Sequence, residues 1–554
     1  MRRTRMQIIV LVGLISCLFL EACYRTVPNY KVWVVDQSTG TQNGIIDPQT
    51  AETSVVETIT AVAKTQGTGA DSGFVAGDTP TVTPTRYATP AQATPIPPVT
   101  ITLPPPGPYA TPNPPIATQS LRSEPFTYTW QEGDEIAKIA FANQVSILQI
   151  QQANPNTNVL GLLPDLKIVI PPSSESEEAP AFKIIPDSEV FYGPIVMDFN
   201  PAGVMKHFNG FVNEYIEQVP DTGNMNAYDI VQRVADENSV NPRLLLALLE
   251  YRSGWLTNGY NEVSPTDYPV GYRQPKKTGL YNQLSWAAAT LMAGSTAMRS
   301  QVLSVYTLPD TTVFRVNPTV NSGTAAIQYL FSLMMNRDEW LEAVSENGFY
   351  QTYLRLFGYP FAFDTGPVIP NGLIQPELTL PFPKDTYWHL TSGPHYAWGV
   401  GSPWAALDFG PSDADYCNVG LTPIVALAEG DIVRSAYSQV VLDLDGDKNE
   451  RTGWTILYMH IAANQKIPYG VHVKPGDVIG FASCEGGFTS GTHTHVARKY
   501  NGVWINAGGD IPFVMSGWTP YTTGVVYDGG MTYGDYTAEA FGGKSPYNVI
   551  WRDD

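Results

Sequence analysis

The sequence predicts a multidomain α+β chain, and three observations carry that prediction. Its 554 residues exceed an ordinary single domain, and its 46 prolines and 48 glycines are distributed unevenly. Residues 126 to 172 read strand, helix, helix, strand, a βααβ unit. Beyond that unit the pattern is helical from 188 to 370, then changes to strand-length apolar runs bounded by glycine turns from 383 to 516.

At the N-terminus, Arg2, Arg3 and Arg5 precede an apolar run from about Ile8 to Leu20. That run is short for a membrane span and fits a signal peptide. It ends in LEAC, which resembles the lipobox of bacterial lipoproteins. The resemblance implies cleavage after residue 22, lipid on Cys23, and an extracytoplasmic chain anchored to the membrane. Glu21 departs from the usual residues of that box, and an uncleaved anchor or a simple secretory signal are the alternatives. Residues 23–123 hold too few apolar clusters for a core. Their Pro- and Thr-rich part, Thr79 to Ala117, reads as an extended, semi-rigid stalk.

In the βααβ unit, the alternating strand Phe126 to Trp130 leads through Gly133 and Asp134 into a helix with Ile136, Ile139 and Ala140 on one face. A second helix carries Ile147, Leu148 and Ile150, Asn154 and Pro155 make a turn, and Leu166 to Ile170 is the closing strand. The segment, residues 124–173, resembles a LysM domain, a fold that binds N-acetylglucosamine-containing glycans between its loops. By that resemblance Gly133, Asp134 and Asn154 are candidate glycan contacts. Glu135 stands where the family has a hydroxyl residue, and Pro164 with Asp165 replace its usual turn.

An acidic linker, SSESEEAP, leads into the helical region. Its clearest stretch, SVNPRLLLALLEYRSGWL, is apolar along most of its length, with Pro242 in the first turn. It resembles the catalytic helix of lysozyme-like lytic transglycosylases, and YNQLSWAAATLMAG and NSGTAAIQYLF resemble later helices of that all-α fold. The family's catalytic glutamate immediately precedes a serine; here Arg252 precedes Ser253. An arginine stays protonated and cannot deliver a proton to a glycosidic oxygen. Glu250, two residues earlier on a helix, points about 200° away. The domain, residues 188–370, is therefore expected to be non-catalytic.

Six of the seven histidines lie in the C-terminal third, and four of them form an ordered pattern with one aspartate: His395, Asp408, His460, His493 and His495. His493 and His495 are two apart, so on a strand both face one side. A catalytic zinc takes three protein ligands and leaves a fourth position for water. His395, Asp408 and His495 are the candidate ligands. His460 and His493 suit the companion roles of orienting the water, stabilising an oxyanion and moving a proton. His389, His472 and His207 have no place in the pattern and read as loop or surface residues.

These residues resemble the lysostaphin-like zinc endopeptidases of bacterial cell walls, and within them the staphylolysin and β-lytic branch. Most members place the first histidine four residues before the aspartate, a position held here by Trp404. That branch uses a GPH tripeptide farther upstream, and GPHYAWGVGSPWAALDFGP has that layout. TPIVALAEGDIV, WTILYMHI, VKPGDVIG and CEGGFTSGTHTHV follow in the family's order. The resemblance covers roughly residues 385 to 510 and implies an antiparallel β zinc endopeptidase, spanning 383–516, that cuts the peptide part of peptidoglycan.

With Cys17 in the leader and Cys23 lipidated, Cys417 and Cys484 remain. Outside the cytoplasm they can form a disulfide contributing about 4 kcal/mol. A role as zinc ligands is the alternative, though no CxxC spacing supports it. In DLDGDKNE, Asp443, Asp445, Asp447 and Asn449 alternate as oxygen donors that can ring a calcium ion; a solvated hairpin turn is the simpler reading. Residues 517–554, rich in Tyr and Gly, read as irregular strands beside the zinc domain, with no chemistry assigned. The formal net charge of −20, with no basic stripe, argues against nucleic acid as a partner. The class that competes with a zinc endopeptidase is a wall-binding scaffold or an activator of other hydrolases.

Overall fold

The computed structural model describes residues 121–554 apart from 132–133, 161, 163, 174–175 and 260–265. Residues 1–120, on which the expected leader, Cys23 and nearly all of the expected stalk fall, and Gly133 lie outside the described residues. Strand β1 (Phe126–Thr129) pairs antiparallel with β2 (Lys167–Ile170), and helices α1 (Ile136–Ala142) and α2 (Ile147–Ala153) lie between them in sequence. A capping box opens α2: the Ser146 hydroxyl takes the Gln149 N–H, and the Gln149 side chain takes the Ser146 N–H. Trp130, Ile139, Val145, Ile150, Ile168 and Ile170 form a small separate core.

The middle region was expected to be all helical, and two hairpins correct that reading. After β3 (Glu177–Glu178) and α3 (Pro201–Phe208), strands β4 (Ile216–Val219) and β5 (Gly223–Asn226) pair across a tight turn. Asp221 and Gly223 take positive φ there, at 63° and 81°. The long helices follow: α4 (Ala227–Asn238), α5 (Pro242–Ser253) and α6 (Leu280–Arg299). A second hairpin, β6 (Val305–Thr307) with β7 (Val313–Arg315), precedes α7 (Ser322–Ser332), α8 (Arg337–Ala343) and α9 (Phe349–Phe357). Helix α5 begins where the Asn241 side chain accepts the Arg243 N–H and Pro242 presets φ; it ends at Gly254, at φ 67°. Its residues from Pro242 to Glu250 are all buried, as a helix apolar on every side requires.

The C-terminal part is built on an antiparallel sheet. Its strands are β8 (Thr386–His395), β9 (Ala406–Pro411), β10 (Pro423–Val425), β11 (Gly430–Ala436), β12 (Gln439–Asp443), β13 (Trp454–Met459), β14 (His472–Val473), β15 (Val478–Phe481), β16 (Thr494–Tyr500) and β17 (Val503–Trp504). The tail adds β18 (Thr519–Tyr521), β19 (Gly530–Tyr533), β20 (Tyr536–Glu539) and β21 (Val549–Arg552). The main sheet runs β14-β11-β12-β13-β16-β9-β8-β21, with β17 on β16; β10 pairs with β15, and β18 to β20 form a small sheet. The tail therefore does more than flank the domain: β21 is an edge strand of the main sheet, paired with β8. His389, read as a surface residue, is buried in β8 with Nδ1 at 2.9 Å from Asn548 Oδ1.

Strand alternation gives the main sheet two faces. Leu407, Phe409, Leu442, Ile456, Tyr458 and Val496 face one core. Ala406, Val441, Leu457, Met459 and Ala497 face the other, and there they join the buried side chains of the helical region in one continuous core. By the same alternation Asp408 and His495 lie on this second face, so the helices pack beside the histidine cluster. The approach is close: a Cβ on Gly502 would sit 2.3 Å from the Tyr192 carbonyl oxygen, and one on Gly193 would sit 2.6 Å from the Asn501 oxygen. The Ser239 hydroxyl donates to Gly502 O at 2.7 Å.

Charges are buried in the same seam. Glu450 meets Arg434 at 3.1 Å and Lys499 at 3.6 Å, and Arg451 crosses to Asp236 of α4 at 3.2 Å. The Arg451 guanidinium also lies over the Tyr192 ring, 4.1 Å from its centroid. The helical region and the sheet are thus joined by apolar and ionic contacts that neither could satisfy alone.

Candidate metal centre

Three strands deliver the central residues. His495 and Asp408 are direct cross-strand partners on β16 and β9, and Met459, the last residue of β13, pairs with His495 from the other side. Strand β8 loses register twice, between Leu390 and Ser392 and between Ser392 and His395, so its end bends over the sheet. His395 arrives from that irregular end.

The donor atoms converge. His395 Nε2 lies 3.0 Å from His495 Nδ1 and 3.2 Å from Asp408 Oδ1, and His495 Nδ1 lies 3.1 Å from the same oxygen. Tetrahedral ligands on a zinc with bonds of about 2.0–2.1 Å stand about 3.3 Å apart, close to this triangle. The tautomers agree. His395 Nδ1 donates to Gly393 O at 2.8 Å, which leaves Nε2 with its lone pair. His495 Nε2 donates to Ala397 O at 3.0 Å, which leaves Nδ1 free to ligate. Two imidazoles, each oriented by a second partner, and one carboxylate, all buried, fit a zinc ion.

His460 and His493 stand beside the triangle, ring centroids 4.6 Å apart. His460 Nδ1 donates to Glu485 O at 2.9 Å and His493 Nδ1 to Gly491 O at 2.7 Å, so each presents Nε2 as an acceptor. His493 Nε2 is 3.7 Å from Asp408 Oδ2. His460 sits just past β13 in the left-handed region, at φ 59°, an uncommon conformation for a residue other than glycine. Its carbonyl is held from outside: Ser483 donates its N–H at 2.7 Å and its hydroxyl at 3.0 Å to His460 O.

Burial, with the neighbouring rings of His493 and His495, pushes His460 down to about 3. Burial likewise lowers His495. It also opposes charge on His395, but there the Asp408 carboxylate outweighs it and raises the imidazole. Burial would raise Asp408; His395 and His493 override it and hold the carboxyl well below the usual range.

The sequence reading missed Tyr527. Its ring stacks on His395 at 4.8 Å and 26°, its N–H donates to Pro394 O at 3.2 Å, and its carbonyl accepts the Gly393 N–H at 2.9 Å. The tail thus grips the tripeptide that carries His395. No local signal marks this tyrosine, because the contact joins segments more than a hundred residues apart. Cys417 and Cys484 are bonded to each other, with Cα atoms 5.3 Å apart, and so are not ligands. Thr492, beside His493, donates its hydroxyl to Tyr416 O at 2.8 Å, tying the bridge to the loop of the HxH pair.

The other candidate residues lie elsewhere. Asp134 accepts from Tyr128 OH at 2.9 Å and Gln131 N at 2.7 Å. Asn154 is buried: it donates to Ile150 O and Val169 O and accepts from Val169 N, so it is a strut between α2 and β2 with its amide fully engaged, which corrects its reading as a glycan contact. Glu250 accepts from Leu256 N and Thr257 Oγ1 and pairs with Arg355 at 3.1 Å, while Arg252 Nε donates to Val270 O at 3.0 Å.

Comparison with known proteins agrees with two parts of the chain. Residues 183–368 match the family model described as "LasA, N-terminal domain". The beta-lytic metalloendopeptidase of Achromobacter lyticus is 29% identical over 171 residues, 29% of this chain and 41% of that protein. The beta-lytic metalloendopeptidase of Lysobacter enzymogenes is 29% identical over 169 residues, 85% of its length. The chain thus spans less than half of the first relative and most of the second. Among solved structures, the M23 metalloprotease pseudoalterin gives a TM-score of 0.27 at 21% identity, covering 32% of this chain and 99% of that one. The catalytic domain of lysostaphin from Staphylococcus simulans gives 0.17 at 23%, covering 22% and 88%. Both sequence matches are to metalloendopeptidases.

Proposed function

We propose that the chain is a zinc-dependent endopeptidase that hydrolyses peptide bonds in the stems or cross-bridges of peptidoglycan at the cell envelope. The observation that carries this reading is the buried triangle of His395 Nε2, Asp408 Oδ1 and His495 Nδ1 with two further imidazoles beside it. Bound zinc supplies a Lewis acid that polarises a carbonyl and makes water acidic near neutral pH. His493 is the proton carrier in this proposal: its Nδ1–H is fixed on Gly491 O and its Nε2 is open, 3.7 Å from Asp408 Oδ2. His460, neutral with its Nδ1–H held by Glu485 O, orients water through Nε2. Tyr527 packs on the outer face of His395 and restricts water there.

The remaining parts are assigned accordingly. The helical region is a lysozyme-like unit without glycosidase chemistry, supported by a Glu250 engaged in capping the chain after α5 and an Arg252 tied to Val270 O. The βααβ unit is a LysM-like glycan binder, with Asp134 the candidate contact among the described residues. Lipid on Cys23 would anchor the chain to the membrane, with the stalk lifting it toward the wall.

The test uses the full-length protein and purified walls. Zinc at one per chain and release of free amines are expected, and Asp408→Ala or His495→Ala should remove both. Full zinc content in either variant would sink the ligand assignment. New sugar termini in place of amines would point to a glycosidase.

A further inference from the structure

We propose that the turn between β12 and β13 is a calcium site, with the cation held by the carboxylates of Asp443, Asp445 and Asp447 beside the Thr455 hydroxyl, and that calcium there fixes the segment that reaches across to the helical region. The oxygens of the three carboxylates lie within 4.8 Å of one another. Asp443 is fully buried, while Asp445 and Asp447 are open to solvent, so the cluster is closed on one side and accessible on the other.

Three carboxylates so placed call for positive charge, and the cations of the adjacent seam are engaged elsewhere. Arg434 and Lys499 pair with Glu450, and Arg451 pairs with Asp236. Among the described residues no ion pair reaches Asp443, Asp445 or Asp447. Each carboxylate does accept hydrogen bonds: Asp443 takes the N–H groups of Asp445 and Lys448, Asp445 that of Asp447, and Asp447 that of Asn449 and the Thr452 hydroxyl. A carboxylate has about four lone-pair sites, so each keeps capacity for a cation.

Thr455 supplies the independent observation. It is fully exposed to neither solvent nor partner: the residue is completely buried and its Oγ1 has no hydrogen-bond partner. In the antiparallel register Thr455 stands directly opposite Asp443, so the two side chains share one face as neighbours. A fully buried hydroxyl with no protein partner, beside a buried carboxylate on the same face, is an oxygen donor that a cation can engage. The all-oxygen donor set on a pliable turn suits calcium, which takes six to eight oxygens in flexible geometry, better than magnesium, which demands a near-ideal octahedron. Asn449 is left out of the set, because its Oδ1 accepts the Arg451 N–H at 3.1 Å.

The same turn carries the seam. Glu450 and Arg451 follow directly, and Gly453 exchanges hydrogen bonds with Asn501, N–H to Oδ1 at 2.9 Å and O from the Asn501 N–H at 2.9 Å. An ion ordering Asp443 to Asp447 would hold Glu450 in reach of Arg434 and Arg451 in reach of Asp236.

The experiment titrates calcium chloride into full-length, zinc-loaded, calcium-free protein by calorimetry, alongside Asp445→Asn/Asp447→Asn, with hydrogen exchange of residues 444–453 and of α4. The expected result is one saturable site with a dissociation constant on the order of 10⁻⁴ to 10⁻³ M, lost in the variant. Calcium should also slow exchange in both segments. No calcium binding by the native chain, equal binding by the variant, or preference for magnesium would overturn the site. Binding without slower exchange in α4 would overturn the coupling to the helical region. If the variant does not fold, terbium emission from the native protein, excited through the adjacent Trp454, decides: displacement by calcium supports the site, and absent emission or displacement by zinc refutes it.

Discussion

Replacing Glu450 by glutamine keeps the shape of the side chain and removes one charge from the seam between the sheet and the helices. Glu450 is 7% exposed, and its partners Arg434 and Lys499 are 14% and 3% exposed, so both cations would be left buried without their anion. Breaking a buried pair in this way costs about 3–5 kcal/mol. A second route gives a similar size. Burial alone would raise the Glu450 carboxyl, but Arg434, Lys499 and Arg451 outweigh it and hold the group at about 2 against an ordinary 4.5. That shift corresponds to about 3 kcal/mol. Because the folded pKa lies below the unfolded one, the contribution is fully present above 4.5 and is lost as pH falls toward about 2. Asp236 runs the opposite way, raised by burial and by Glu450, so the informative quantity is the difference between native protein and variant. Urea unfolding followed by tryptophan fluorescence from about pH 2 to pH 7 measures it. Glu450→Gln should be about 3 kcal/mol less stable near neutrality, and the two curves should converge in acid. A loss below about 1 kcal/mol, or curves that stay parallel, would refute the claim that this ion network fastens the two parts of the chain.

His460→Ala and His493→Ala should retain zinc and lose peptide cleavage by about a hundredfold or more, measured as amine release from walls; near-normal turnover in both would place the proton chemistry elsewhere. Tyr527→Ala should weaken zinc binding by about tenfold to a hundredfold in a chelator competition, because it removes the packing that orients His395, whereas an unchanged affinity would reduce Tyr527 to a surface contact. Glu250→Gln should lower stability by about 1–3 kcal/mol through weakened hydrogen bonds to Leu256, Thr257 and Arg355, yet leave cleavage per folded molecule unchanged. Lost cleavage with zinc intact would mean that the helical region takes part in the chemistry.

The parts legible in the sequence share one property: their signals are local. Residues two apart on a strand share a face, so His493 and His495 point together wherever that strand lies. The apolar run from Leu244 to Leu249 could only be a buried helix, and the Ser146 to Gln149 spacing marks a helix start. Asp408 and His395 stand in the ordered pattern of histidines with one aspartate, and the structure brings both to His495. Where local pattern was weak the reading slipped. Ile216–Val219 and Gly223–Asn226 carry no clear alternation, so their hairpin went unseen. His389 looked solitary because its partner, Asn548, lies at the far end of the chain.

What the sequence by itself determined is the set of donors and the periodicities that present them: imidazoles and a carboxylate in order, strands that alternate, helices that bury every side. What only the tertiary structure decided is which distant segments complete them. Tyr527 reaches His395 because the loop between β18 and β19 is hydrogen-bonded to Gly393 and Pro394 at the end of β8. Asp236 and Glu450 lie more than two hundred residues apart and join one ion network only when α4 settles on the sheet. A tautomer, a lowered pKa or a buried ion pair depends on partners within a few ångströms in space, and separation along the chain says nothing of them until long-range pairing is fixed.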